Sequence, residues 1–366
     1  MIKVCHMTSA HDRYDVRIFE KECSSLAKYG YEVSLVVNDN IKNEIKDNVN
    51  IVTTGFVSKN RLQRMIFSTK EIYKKAIELN CDIYHFHDPE LLPIGHKLKK
   101  LGKKVIFDSH EDVAKQIMDK TWIPKLFRKI ISLIYAGYEK KIVKSIDAVI
   151  SVSPQFIEVF AKYNTNATLI TNYPIIAINN EVQSKPESFI CFAGGISKQW
   201  NHEKIIEAIS NIEGLRYIIA GSIDNSYMEY LQTISGWGKV DYLGVISHED
   251  VQKLYAKSMI GVAINFSNQI KGIGTLGNTK LFEFMEAKLP VVCSDYVLWK
   301  EVIDKYKCGI CVNPQNTKEI EKALRYLVDN PQEAIAMGEN GRKAVEKQYN
   351  WKVEEKKLIA LYQNIE

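Results

Sequence analysis

The sequence predicts an α/β protein of two Rossmann-like, doubly wound and mainly parallel sheets, one in each half of the chain. Three observations carry that expectation. Short apolar runs alternate with longer amphipathic runs at helical spacing, the βαβ rhythm that builds parallel sheets. A length of 366 residues exceeds one core of ordinary size. The rhythm also breaks once, over Asn172–Glu187 (NYPIIAINNEVQSKPE), where two prolines and three asparagines mark a linker. The expected division is residues 1–174, a linker 175–187, residues 188–350 and a closing segment 351–366, with the two sheets facing each other across a cleft.

In the first half the spacing predicts strand Ile2–Met7, helix Val16–Tyr29 closed by Gly30, and strands Glu32–Val37 and Val49–Thr53. Helix Arg61–Leu79, strand Asp82–His87, helix Leu91–Leu101 closed by Gly102, strand Val105–Asp108, a long helix and strand Ala148–Val152 follow. Ligands of such sheets bind at the carboxyl ends of the strands. The polar clusters there are Thr8–Asp12, His85–Glu90, Asp108–Asp112 and Ser151–Ser153. The second half predicts strand Phe189–Ala193 leading to Gly194-Gly195, helix His202–Ser210, strand Tyr217–Ala220 leading to Gly221-Ser222, strand Val240–Leu243, helix His248–Lys257 and strand Gly261–Ile264. Helix Lys280–Lys288, strands Leu289–Asp295 and Ile310–Val312, and helices Lys318–Asp329, Gln332–Lys347 and Trp351–Asn364 complete the chain.

The stretch Gly272–Asp295 (GIGTLGNTKLFEFMEAKLPVVCSD) concentrates the chemistry. Gly272, Gly274 and Gly277 loosen the backbone, and Asn278 and Thr279 are N-cap types ahead of an amphipathic helix. Unpaired amides at such a junction suit a phosphate. Lys280 adds a point charge, and Glu283, three residues on, can accept two hydrogen bonds from the vicinal hydroxyls of a ribose. The alternative is an ordinary i,i+3 ion pair. Gly272-x-Gly274-x-x-Gly277 also spells the dinucleotide fingerprint, with Asp295 about 20 residues on. That fingerprint belongs to a first βαβ unit, whereas the first strand here runs into Thr8–His11 without a glycine.

Composition narrows the class. Hydrophobic residues make 46% and charged residues 25%, with no 18-residue apolar run and no signal pattern at Met1, so neither secretion nor membrane spanning is expected and cytoplasm is the default. Seven cysteines without CxxC spacing point to reduced thiols, with Cys5, Cys191, Cys293 and Cys311 as small core residues; no metal-ligand spacing is visible. Through Pro174 there are 27 Lys and Arg against 20 Asp and Glu, and after it 22 against 24. The first half therefore expects an anionic partner, and without a recognisable binding module nucleic acid is not expected.

HDRYDVRIFEKE (His11–Glu22), HFHDPELLPIG (His85–Gly95), KKVIFDSHED (Lys103–Asp112), FAGGIS (Phe192–Ser197) and GNTKLFEFMEAKLPVVCSD (Gly277–Asp295) together resemble the family 4 glycosyltransferases of GT-B fold, in the bacterial subgroup that builds capsules and lipopolysaccharides. The resemblance spans nearly the whole chain. It implies two Rossmann-like domains face to face, a nucleotide-sugar donor of UDP or GDP type bound mainly by the C-terminal one, retention of configuration, and no cofactor or essential metal. It also implies that the terminal helix packs back toward the N-terminal domain. Glu283 matches the second glutamate of the family's Glu-x7-Glu motif; Thr275 stands where the first would be. The family's phosphate-binding Arg and Lys align with Gly195 and roughly Trp200, so the charge is reassigned to Lys198 and Lys280. Lys288 replaces a glycine after the helix. The implied donor contacts are Gly194, Gly195, Lys198, Gly221, Ser222, Val245, Gly274, Gly277, Asn278, Thr279, Lys280 and Glu283.

His110 matches the histidine that faces the donor sugar, and with Thr275 and Glu283 forms the expected catalytic set. Acceptor contacts are expected from His11, Asp12, Arg17, His87, Asp88 and Glu111. Each has a plainer alternative: a structural histidine, a turn at Asp88-Pro89, or helix-start capping by Asp12, Asp15 and Arg17. The acceptor is expected to be a surface glycan, free or lipid-linked. The competing functions are an NAD(P)-dependent oxidoreductase or UDP-sugar epimerase and a non-catalytic nucleotide-sugar sensor. Finally, Lys115–Lys144 holds eight Lys and Arg among Trp122, Leu126, Phe127, Ile130, Ile131, Leu133 and Ile134, which suits peripheral binding at the anionic inner face of the cell membrane; the alternative is an ordinary core helix with solvated lysines.

Overall fold

The computed structural model describes residues 1–110, 112–120, 123–176, 187–266 and 272–366, so most of the expected linker and Glu111 and Trp122 lie outside the described residues. The chain divides into two compact units, Met1–Asn172 with Trp351–Glu366, and Tyr173–Asn350.

The first unit holds strands β1 (Lys3–Met7), β2 (Glu32–Val37), β3 (Glu44–Lys46), β4 (Val49–Thr53), β5 (Ile83–Phe86), β6 (Lys104–Ser109), β7 (Ala148–Ser151) and β8 (Ala167–Leu169). Their order is β3-β4-β2-β1-β5-β6-β7-β8, and β3 pairs antiparallel while the rest run parallel. The order reverses between β1 and β5, and a topological switch of this kind opens a crevice at the carboxyl ends, here between Thr8–His11 and His87–Glu90. The helix Trp351–Ile365 closes this unit. It buries Trp351, Leu358, Leu361 and Tyr362 against Val4, Phe19 and Leu35, Trp351 Nε1 donates to Ser25 Oγ at 2.9 Å, and Glu354 Oε2 accepts from the Thr171 amide at 2.8 Å.

The second unit holds β9 (Phe189–Ala193), β10 (Arg216–Ala220), β11 (Val240–Tyr242), β12 (Ile260–Ala263), β13 (Val291–Ser294) and β14 (Gly309–Val312), all parallel in the order β11-β10-β9-β12-β13-β14. Both faces are covered, which is why its central strands β9 and β12 are continuously apolar: Cys191 and Ala193 face Phe282 and Phe284, while Ile190 and Phe192 face Ile205 and Ile209. Its switch point lies between β9 and β12.

The structure also corrects element boundaries. β3 (EIK) is a charged edge strand with no apolar run to announce it, and the helices Pro154–Phe160, Asn225–Gln232 and Val297–Tyr306 were not expected. The helix expected to reach Lys288 spans only Lys280–Glu286, because Lys288 takes φ +59°, the left-handed conformation that a glycine would adopt without strain, and Pro290 follows. Lys288 thus fills the usual glycine position.

Candidate active site

At the carboxyl edge of the second sheet, β9 runs into Gly194 (φ +151°) and β10 into Gly221 (φ +138°). The two backbones touch: a Cβ on Gly221 would lie 1.8 Å from the Gly194 carbonyl oxygen, so no side chain is admitted there. A Cβ on Gly194 would lie 2.9 Å from Lys280 Cε, which places the lysine across bare backbone. Lys280 is fixed by Glu283. Glu283 Oε2 accepts from Lys280 Nζ at 2.6 Å and from Tyr255 OH at 3.1 Å, and Oε1 accepts from Thr279 Oγ1 at 2.5 Å. Burial alone would raise the Glu283 pKa, but the Lys280 charge and these three donors outweigh it and hold the carboxyl below its ordinary value. The i,i+3 ion pair therefore exists, and it is ordered and mostly shielded, with side chains 18% and 27% exposed.

Other donor-site expectations fare unevenly. Thr279 stands at the N-cap without capping, since its hydroxyl is directed to Glu283, whereas Asn278 Oδ1 does accept from the Lys280 amide at 3.1 Å. The helix has only seven residues, so the charge available to an anion comes from Lys280 more than from the dipole. Thr275 is engaged locally: its hydroxyl accepts from the Gly277 amide at 3.1 Å and its carbonyl from Trp299 Nε1 at 2.8 Å. Gly274 adopts φ +81° against Tyr296. Gly195, Lys198, Ser222 and Val245 are exposed at the same edge, and the Gly244 carbonyl before Val245 accepts from the Gly221 amide at 2.7 Å. Gly272 comes nine positions after β12 ends at Ala263, so the glycines do not join strand to helix as a dinucleotide fingerprint does. Tyr255, from helix His248–Lys257, had no sequence signal; it is an interior helical position until folding brings it to Glu283.

The first unit carries a buried polar chain at its own switch point. Arg17 grips Asp108 with two hydrogen bonds, Nε to Oδ2 at 2.8 Å and Nη2 to Oδ1 at 3.0 Å. Burial would raise the Asp108 pKa, but the Arg17 charge and the two histidines bonded to it hold it well below the carboxylate range. An ionised Asp108 only accepts, which fixes every proton beyond it. His110 Nε2 donates to Oδ2 at 2.8 Å. His87 Nδ1 donates to the same oxygen at 3.3 Å. His87 Nε2 then accepts from His6 Nδ1 at 2.9 Å, His6 Nε2 accepts from Tyr362 OH at 3.2 Å, and Tyr362 accepts from His85 Nδ1 at 2.9 Å. Burial keeps His6, His85 and His87 neutral by lowering their pKa values. Burial also raises the Glu22 carboxyl against the opposing pull of Arg17, whose Nη2 lies 3.1 Å away without aligning for a hydrogen bond.

Several expected acceptor residues are corrected by this arrangement. Arg17 is committed to Asp108 and buried, so it neither caps nor binds; Asp15 is the cap, accepting from the Arg17 and Ile18 amides. His87 is buried in the chain. Asp88 is turned inward, taking Thr8 Oγ1 at 2.8 Å and the Ser9 amide at 2.6 Å, which is the turn-fixing alternative. Asp12 is exposed, and Glu111 lies outside the described residues. A pocket of about 300 Å³ opens beside them, and His87 and Asp88, though mostly buried, line it together with His11, Arg64, Glu90 and His110. The ligand-type atoms of His6, Glu22, His85 and His87 also lie within 4.8 Å of one another. The Arg17 guanidinium already supplies positive charge beside that Glu22, so the group reads as a buried polar core, invisible to sequence spacing because its members come from three segments.

Two Rossmann-like parallel-sheet units, one of them with an ordered Lys–Glu pair over glycine strand ends, define a GT-B glycosyltransferase. Residues 17–172 match the family described as Glycosyltransferase Family 4, and residues 176–344 match Glycosyl transferases group 1. The chain belongs to this family of glycosyltransferases. It is 23% identical to the D-rhamnosyltransferase WbpZ of Pseudomonas aeruginosa over 287 residues, 74% of this chain and 70% of that protein. Among solved structures, sucrose-phosphate synthase of Thermosynechococcus elongatus superposes with a TM-score of 0.78 at 17% identity, covering 100% of this chain and 99% of that one. HepE of Anabaena, in complex with UDP and glucose, gives 0.73 at 11% identity and full coverage of both chains. WaaG, a glycosyltransferase involved in lipopolysaccharide biosynthesis, gives 0.71 at 14% identity and 99% of both chains.

Proposed function

We propose that this glycosyltransferase moves a sugar from a UDP- or GDP-linked donor to a surface-glycan acceptor, with retention of configuration and without an essential metal. The observation that carries the reading is Lys280, laid over Gly194 and held by Glu283. A diphosphate leaving group needs a cation on close, side-chain-free backbone, and this edge of the sheet offers both. When the donor binds, Lys280 turns from Glu283 to the phosphates, and the freed carboxylate takes the ribose hydroxyls. The departing diphosphate accepts the acceptor's proton, so the protein's work is positioning and charge stabilisation. HepE in complex with UDP and glucose supports a nucleotide-sugar donor, and WaaG, a glycosyltransferase involved in lipopolysaccharide biosynthesis, supports an envelope-glycan role.

We place the enzyme at the inner face of the membrane as a peripheral protein. No helix among the described residues is long and apolar enough to cross. The helix Lys125–Val143 instead exposes Leu126, Phe127, Ile130, Leu133 and Ile134 among its lysines, which supports an interfacial role over the ordinary core alternative. A thermal-shift panel tests the donor reading: UDP or GDP should raise the melting temperature and NAD should not. Stabilisation by NAD alone would sink it.

A further inference from the structure

Three hydrogen-bond donors converge on Glu283, and they come from two different helices. Lys280 Nζ and Thr279 Oγ1 belong to the entry of the carboxylate's own helix, Lys280–Glu286, whereas Tyr255 OH reaches it from helix His248–Lys257. The tyrosine is built into the core of the second unit. It is 1% exposed, and its ring meets that of Phe284 edge to face with centroids 5.2 Å apart. Among the described residues its hydroxyl bonds to no group but Glu283. Burial first, and then the Glu283 charge, raise its pKa well above the ordinary phenol value, so it stays a donor.

Lys280 and Tyr255 share Oε2, and Thr279 takes Oε1. An ionised carboxylate offers about four acceptor positions, two on each oxygen. With Lys280 withdrawn to a phosphate, each oxygen keeps one hydroxyl of the protein and has one position open, which matches the two vicinal hydroxyls of a ribose. Withdrawal also removes the charge that most favours ionisation of this buried carboxyl, and the remaining hydroxyl donors then have to hold it. Thr279 precedes Lys280 in the chain and is tied to whatever movement the lysine makes. Tyr255 stands on a separate element and is not. We infer that Tyr255 is a positioning residue for the donor: its hydroxyl keeps the Glu283 carboxylate aimed at the ribose hydroxyls after Lys280 has turned to the diphosphate. The inference rests on the transfer reading above and adds to it the residue on which selection of a ribose depends.

Calorimetric titration of the full chain with UDP, GDP, their 2′,3′-dideoxy counterparts and inorganic pyrophosphate tests it, on the wild type and on Tyr255→Phe, which keeps the packed ring. The wild type should bind UDP or GDP about tenfold or more tightly than the dideoxy form, the worth of hydrogen bonds to a charged acceptor. Tyr255→Phe should reduce that preference to about threefold or less and leave pyrophosphate affinity unchanged, which also shows the variant to be folded. The preference needs an ionised Glu283, so it is present above the carboxyl pKa and fades as pH falls through it; loss of the Tyr255 donor should move that fading upward by about half a pH unit or more. A Tyr255→Phe variant with the full preference and an unmoved pH profile would overturn the inference. So would a parallel weakening of nucleotide, dideoxy nucleotide and pyrophosphate, the mark of a residue that only supports the fold. Either failure leaves the donor reading standing if the wild type prefers the ribose form, whereas a wild type indifferent to the ribose hydroxyls strikes the role of Glu283 in that reading.

Discussion

Asp108 organises more of the first unit than any residue the sequence singled out, because Arg17, His87 and His110 all bond to its carboxylate. Asp108→Asn leaves a buried guanidinium without its ionised partner and should cost about 3–5 kcal/mol in urea denaturation. Glu22→Gln, at a carboxyl whose pKa burial raises against the pull of Arg17, should stay within about 1 kcal/mol at neutral pH; equal losses for the two would contradict the charge assignment. The neutral histidines also predict a pH dependence. His6, His85 and His87 have folded pKa values below the unfolded value of about 6.5, so their contribution is complete above that pH and is lost as pH falls, by about 1.4 kcal/mol per histidine per unit. Glu22, raised by burial, opposes this with about one proton's worth. Stability unchanged between pH 6.5 and 5.5 would mean that the histidines are not buried neutral. In the second unit, Glu283→Ala should lower kcat/KM for donor by on the order of 2 kcal/mol, having lost hydrogen bonds to hydroxyls and the hold on Lys280. Unchanged kinetics would remove Glu283 from the site. Sequence spacing exposed the Lys280–Glu283 pair because it is local, i to i+3. It could not expose the chain from Asp108 to Tyr362, in which Tyr362 and His6 lie 356 positions apart.

Secondary-structure elements were legible where burial makes a strand mostly apolar, as in β2, β4 and above all β9, whose bounds the sequence placed correctly. They were missed where packing is marginal: β3 is a charged edge, and β8 is only partly buried along its three residues. The terminal helix Trp351–Ile365 illustrates what folding adds. Its apolar stripe is ordinary, yet Tyr362 both donates to His6 and accepts from His85. Tyr362→Phe strands two buried ring nitrogens and should lower stability by about 1–3 kcal/mol in denaturant titration, with the wild-type midpoint as the contrary result. Lys288, held at φ +59°, is the opposite case. Lys288→Gly should raise stability by about 0.5–1 kcal/mol, and a loss would mean that its ion pair with Glu339 at 3.1 Å outweighs the backbone strain.

For the molecule as a whole, the basic first half and the exposed apolar residues of helix Lys125–Val143 predict reversible, salt-sensitive recovery with anionic vesicles in flotation and little with neutral ones. Equal recovery in the soluble fraction for both, at low salt, would reduce that helix to a solvated surface. The two-sheet architecture was legible because βαβ alternation is a local property of the sequence, whereas the acceptor pocket was legible only in part: of the six residues expected there, His11, His87 and Asp88 line it, Arg17 is buried against Asp108, Asp12 is exposed outside the lining and Glu111 lies outside the described residues. The central claim is that transfer depends on a nucleotide sugar bound through Lys280. Its most direct test is the release of nucleoside diphosphate from a panel of UDP- and GDP-sugars by the wild type and by Lys280→Ala. At least one donor should be consumed by the wild type, and Lys280→Ala should consume it at least tenfold more slowly. A panel left untouched, or a variant as fast as the wild type, would contradict the account.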